Sequence, residues 1–118
     1  MEIKVKRYDI VQADLSGTVG SEQGGVRPVL IIQNDIGNLH STTTIVMPFS
    51  TKISKSSNQP THTLIKKSAD TGLKMDSMLL GEQMRVISNK RIIRKIGIVT
   101  DEKERKEIRR VYEANFGE

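Results

Sequence analysis

The 118-residue chain has no cysteine and no tryptophan, and its aromatic side chains are two tyrosines and two phenylalanines. Without thiols it can form neither a disulfide framework nor a thiolate metal site, which suits a reducing cytoplasm. The longest apolar runs, Val29-Leu30-Ile31-Ile32 and the proline-containing stretch 45–49, fall far short of the ~20 apolar residues a membrane helix needs. Glu2, Lys4, Lys6 and Arg7 put charge where a secretory signal would place its apolar stretch. The expectation is a cytoplasmic protein that is neither secreted nor inserted in a membrane. With so few aromatics, a nucleic-acid partner finds few platforms for base stacking, and recognition leans on hydrogen bonds and loop shape. A chain of this length fits one domain, residues 1–118, and buries a single core without staples.

Charge is present and unevenly spread. The net charge is +5; residues 1–100 hold 14 basic and 8 acidic side chains, whereas residues 101–118 hold 5 and 6. A basic body favours a polyanionic partner through phosphate neutralisation and counterion release. An excess of this size serves equally well to keep a small domain soluble.

Hydrophobic patterning predicts mostly strands. Residues 8–15 alternate in part, and residues 28–33 and 42–49 are β-branched runs flanked by breakers. Residues 16–25 and 50–60 are long polar loops, and residues 34–38 form a turn-rich connection. A short strand follows at 61–65, then strand at 77–83 and 84–87, which is one bent strand or two, with Gly81 marking a bulge or a close backbone approach. Residues 89–98 are read as a short helix and a brief strand, because Ile92, Ile93, Ile96 and Val99 fit helical spacing. Asp101 with Glu104 forms a capping box that opens a C-terminal helix of about four turns, whose inward face carries Ile108, Val111, Tyr112 and Asn115. The expected fold is mainly β with α additions, a small, strongly curved sheet or barrel with a C-terminal helix.

Two stretches carry candidate chemistry. Gly20-Ser21-Glu22-Gln23-Gly24-Gly25-Val26-Arg27-Pro28 is a loop that ends in an arginine at the mouth of a strand, and the proline holds Arg27 extended. A guanidinium fixed there suits bidentate contact with a phosphate; the ordinary alternative is an ion pair with a carboxylate such as Glu82. In Val46-Met47-Pro48-Phe49-Ser50-Thr51 a strand ends in paired hydroxyls, which either present chemistry or satisfy backbone groups in a turn. His40 and His62 invite comparison with two-histidine nucleases, but His40 lies in a turn-rich loop and His62 in a strand, so structural or interface roles are expected.

At these stretches, and at Leu79-Leu80-Gly81-Glu82-Gln83-Met84-Arg85, the sequence resembles the MazF/PemK toxins, especially their Gram-positive forms. Asp9-Ile10-Val11, Ala13-Asp14-Leu15, the block from Gly20 to Pro28, residues 29–38, Pro60-Thr61-His62 and Asp76-Ser77 follow the family's order. The resemblance implies an SH3-like, CcdB-like curved barrel that dimerises and cuts single-stranded RNA at short sequences without a cofactor or metal. It maps a catalytic pair onto Arg27 and Ser50, with Thr51 as the alternative hydroxyl if the register shifts by one. Ser21, Glu22, Gln23, Glu82, Gln83 and Arg85 become further catalytic or substrate-binding candidates. An arginine that some members carry before the Q-x-R is Leu80 here, so its role does not transfer. The implied chemistry is attack of the RNA 2′-hydroxyl on the adjacent phosphorus, and the implied partner is an acidic, MazE-like antitoxin. A related family on the same barrel inhibits DNA gyrase without catalysis, and a plain nucleic-acid-binding barrel is the third alternative.

Overall fold

The computed structural model describes residues 3–17, 19–20, 22, 24–53 and 59–117. Seven antiparallel strands are present among them: β1 Asp9–Asp14, β2 Val26–Ile31, β3 Thr43–Ser50, β4 His62–Ile65, β5 Ser77–Leu80, β6 Arg85–Ser88 and β7 Ile92–Ile98. Two α-helices, α1 Asp35–His40 and α2 Glu102–Ala114, complete the fold together with 3-10 turns at Gly81–Gln83 and Asn89–Arg91. The main path of the sheet runs β4-β5-β3-β2-β1-β7, and β6 pairs β3 beside it.

The architecture turns on β3, which changes neighbours along its length. Its first half, Thr43 to Val46, pairs β6, and its last two residues, Phe49 and Ser50, pair β5. Pro48, which has no N–H to give a ladder, stands at the changeover. Strand alternation then sends side chains to two cores. On one face Val11, Ala13, Leu15, Val29, Ile31, Val46, Ile87 and Ile92 fill the interior of a curved sheet. β7, β1, β2, β3 and β6 curl around this interior, and the 3-10 turn at Asn89–Arg91 links the last strand of the curl back to the first. On the other face Ile10, Leu30, Met47, Phe49, Ile65 and Leu79 meet Ile108 and Val111 of α2. Each of those two helix side chains is fully buried, worth about 1.5–3 kcal/mol.

Several sequence expectations change in the structure. The connection at 34–38 is the start of α1, because the Asn34 side chain accepts from the Gly37 N–H at 2.8 Å and caps a helical turn. The stretch 77–87 is two strands joined by a 3-10 turn. At Gly81 a Cβ would overlap Val111 Cγ1 and stand 2.7 Å from the Thr61 carbonyl oxygen, which bears out the close backbone approach. The helix expected early in 89–98 is only the turn Asn89–Arg91, and the strand is seven residues long. Register shifts in its ladder with β1, between Ile10 and Val11 and between Gln12 and Ala13, break the alternation of the isoleucines and leave a spacing that imitates a helix. The capping box is half formed. Asp101 accepts from the Glu104 N–H at 2.9 Å, but Glu104 turns away to accept from the Lys66 N–H at 3.0 Å.

Among the described residues no helix is long and apolar enough to cross a membrane.

Candidate active site

Arg27 is the second residue of β2 and Ser50 the last of β3. The two strands pair Val29 with Pro48, and continuing that register by two residues sets Arg27 opposite Ser50 on one face. Arg27 is half-buried and held by backbone: its Nε donates to the Gly24 carbonyl at 2.9 Å and its Nη1 to the Phe49 carbonyl at 3.0 Å. A guanidinium carries five N–H groups, so three remain for a ligand. No carboxylate pairs with Arg27 among the described residues. The Ser50 oxygen accepts from the Lys52 N–H at 3.1 Å, a turn contact that leaves the hydroxyl proton free to donate.

Thr51 follows Ser50 but belongs to the other face. It lines a groove of about 550 Å³ together with Lys74 and with Gln12, Val26, Pro28 and Arg94, strand residues on the face opposite the Arg27 side chain. The geometry therefore aligns Ser50, not Thr51, with Arg27.

Arg85 opens β6 opposite Val46, on the face that Arg27 and Ser50 share. It is half-buried, and its Nη1 is buried without a hydrogen-bond partner among the described residues. Folded proteins rarely leave such a donor unmatched.

Glu82 and Gln83 lie elsewhere. They sit in the 3-10 turn beyond β5, and since Ser50 faces Met78, Glu82 is four residues farther along, a separation on the order of 10 Å. Glu82 accepts from Thr61 Oγ1 at 3.2 Å and hydrogen-bonds His62, whose Nε2 is 2.6 Å from Oε2. His62 is buried, and Arg110 of α2 donates to its carbonyl at 3.2 Å and to that of Pro60 at 2.7 Å. These bonds fasten α2, β4 and the 3-10 turn together, so Glu82 is not the partner of Arg27. Gln83 is half-buried and engaged within the fold.

Glu22 is exposed and accepts from the Val19 N–H at 2.9 Å in a local turn, while Ser21, Gln23 and the loop 54–58 lie outside the described residues. His40 ends α1 near the opposite end of β3 from Ser50, so the two histidines do not converge. Among the described residues no three His, Cys, Asp or Glu side chains gather as a metal site.

Beside this site, at the end of β1, the Asp14 carboxyl is held below the ordinary aspartate range. The Ser16 hydroxyl is the main cause and the Ser16 N–H the second, with a smaller pull from Arg91. Arg91 Nη1 also donates to the Asp14 and Ser16 carbonyls, both at 3.0 Å, fastening the start of the loop to the barrel.

Sequence reasoning did not find the Gly24 and Phe49 carbonyls that hold Arg27. A backbone acceptor leaves no residue signature, and only the strand register reveals it.

A family model described as PemK-like, MazF-like toxin of type II toxin-antitoxin system matches residues 6–114. Over 98 residues the chain is 51% identical to endoribonuclease EndoA of Bacillus subtilis (strain 168), a match covering 83% of each chain. The crystal structure of MazF from Deinococcus radiodurans, 15% identical, superposes with a TM-score of 0.81 over 99% of this chain and 100% of that one. A mycobacterial endoribonuclease solved in complex with its cognate antitoxin, 18% identical, gives 0.77 over 96% and 95%. The two structures speak for the fold, and the sequence matches carry further: the chain belongs to the PemK-like, MazF-like toxins of type II toxin-antitoxin systems.

Proposed function

We propose that this chain is a sequence-specific endoribonuclease that cuts single-stranded RNA by attack of the 2′-hydroxyl on the adjacent phosphorus. The observation that carries the proposal is Arg27, fixed by two carbonyls opposite Ser50 with three N–H groups to spare. In the reaction the 2′-oxygen forms a bond to phosphorus as its proton leaves, and the P–O5′ bond breaks as the 5′-oxygen gains a proton. The products are a 2′,3′-cyclic phosphate and a 5′-hydroxyl. DNA is spared because it lacks the nucleophile. Arg27 stabilises negative charge on the phosphorane, and because a guanidinium keeps its proton it acts electrostatically rather than by giving one up. Ser50 donates its hydroxyl proton to a non-bridging oxygen while its own oxygen stays fixed by Lys52 N–H.

Arg85, half-buried on the same face, turns the accessible part of its guanidinium to a neighbouring phosphate or base edge. The recognised sequence depends on residues 16–26 and 50–60, which adjoin Arg27 and Ser50 in the chain. Glu82 braces the turn that carries Gln83 and Arg85. The 118 residues act as one toxin domain in the cytoplasm, as a homodimer, inhibited by a cognate antitoxin whose acidic segment competes with RNA for the basic surface.

The test is cleavage of a long single-stranded RNA in EDTA by the wild type, Arg27→Ala and Ser50→Ala. Loss of a charge-stabilising donor lowers rates by about 10²–10³, so Arg27→Ala is expected to abolish visible cutting and Ser50→Ala to slow it strongly. Intact RNA with the folded wild type, or undiminished cutting by Arg27→Ala, overturns the proposal.

A further inference from the structure

A proline in the middle of a sheet should leave a hole in its ladder, and β2 is a middle strand with β1 on one side and β3 on the other. The position of the hole follows from the register. Ile32 N–H donates to the Ile45 carbonyl at 2.9 Å, so Ile32 and Ile45 are a hydrogen-bonded pair. In antiparallel ladders directly opposite residues alternate between bonded and non-bonded pairs. Leu30 with Met47 is the next bonded pair, and continuing the register one residue past Val29 with Pro48 makes Pro28 with Phe49 the one after. There the ladder needs an N–H from residue 28 to the Phe49 carbonyl, and proline has none. Arg27 Nη1 occupies that acceptor instead, at 3.0 Å.

We propose that Pro28 is a positioning residue for Arg27: by withholding a backbone N–H it keeps the Phe49 carbonyl vacant, and that carbonyl fixes the guanidinium beside Ser50. The arginine and the proline act as a unit, in which one residue removes a donor and its neighbour replaces it. The consequence for cleavage rests on the role proposed for Arg27 above; the competition for the carbonyl does not.

Proline also restrains the residue before it to extended conformations, and the two effects have to be separated. Pro28→Val does this, since valine favours extended backbone but restores the N–H. The experiment compares wild type, Pro28→Ala and Pro28→Val by two readouts: amide exchange of residue 28 with the Arg27 Nε–H signal by NMR, and single-turnover RNA cleavage. Both variants are expected to show a protected amide at residue 28 and a faster-exchanging or shifted Arg27 Nε–H signal. Cleavage is expected to fall roughly ten- to hundred-fold, the worth of one charge-assisted bond. In an Arg27→Ala background, Pro28→Val should leave the melting temperature equal or higher.

An unprotected amide at residue 28 overturns the proposal. So does a protected amide with an unchanged Arg27 signal, or Pro28→Val activity within about two-fold of wild type. If the wild type itself does not cut RNA, the nuclease reading fails, and the NMR signals still decide the competition for the carbonyl.

Discussion

Replacing Arg27 by lysine keeps the positive charge and removes the fork. The arginine places Nε on the Gly24 carbonyl and Nη1 on the Phe49 carbonyl and retains three N–H groups for the phosphate. A lysine has three N–H groups on a single nitrogen. If it keeps both carbonyls it offers one bond to the phosphate; if it turns to the phosphate it leaves the carbonyls and loses its fixed position. The first case removes two of the three donors and the second removes their fixed position; loss of one preorganised donor costs about 2.7–4 kcal/mol, or roughly a hundred- to a thousand-fold in rate. Affinity for RNA should change far less, because the charge remains. The assay is single-turnover cleavage of a short RNA containing one mapped site, with circular dichroism to establish that the variant is folded. A rate within about ten-fold of wild type would show that charge alone suffices, and would refute the argument from the fork.

Glu82→Gln should leave the cleavage step largely intact, because Glu82 is committed to His62 and Thr61 away from the Arg27 and Ser50 pair; a loss of about 10²–10⁴ in single-turnover rate would place it in the chemistry as an acid or base. Gly81→Ala forces a methyl into Val111 and the Thr61 carbonyl; such overpacking costs about 1–3 kcal/mol, lowering the melting temperature by roughly 4–12 °C, and an unchanged melting temperature would contradict the packing. For Asp14 the folded state favours the carboxylate, so its contribution to stability is present above the ordinary aspartate pKa and is lost as pH falls through the lowered one. Carbon NMR should find its titration midpoint below the ordinary value, and Ser16→Ala should raise it; a midpoint at or above the ordinary value would contradict the Ser16 contacts.

Much of the sheet was legible in the sequence because it rests on local signals. The β-branched runs marked β2 and β3, and Asp101 with the periodic Ile108 and Val111 marked α2. Where the reading failed, tertiary structure had overwritten the period. The register shifts of β7 against β1 turned alternation into apparent helical spacing, and the Asn34 cap made a helix from residues that also favour turns. At the site, the motif pointed to Arg27 and Ser50, and strand alternation then separated Ser50 from Thr51. Glu82 stood near the motif in sequence, yet the turn after β5 carries it toward His62. Sequence proximity to a motif does not set direction; the end of a strand does.

Cleavage through the RNA's own 2′-hydroxyl leaves a mark at each cut bond that a single substitution can erase. A long single-stranded RNA is cut by the wild-type protein in EDTA, the ends are mapped, and the digestion is repeated with a single 2′-deoxynucleotide on the 5′ side of one mapped bond. Discrete cuts bearing 2′,3′-cyclic phosphate and 5′-hydroxyl ends are expected, with cutting lost only at the substituted bond. Intact RNA throughout, or continued cutting at the deoxy position, would contradict this mechanism.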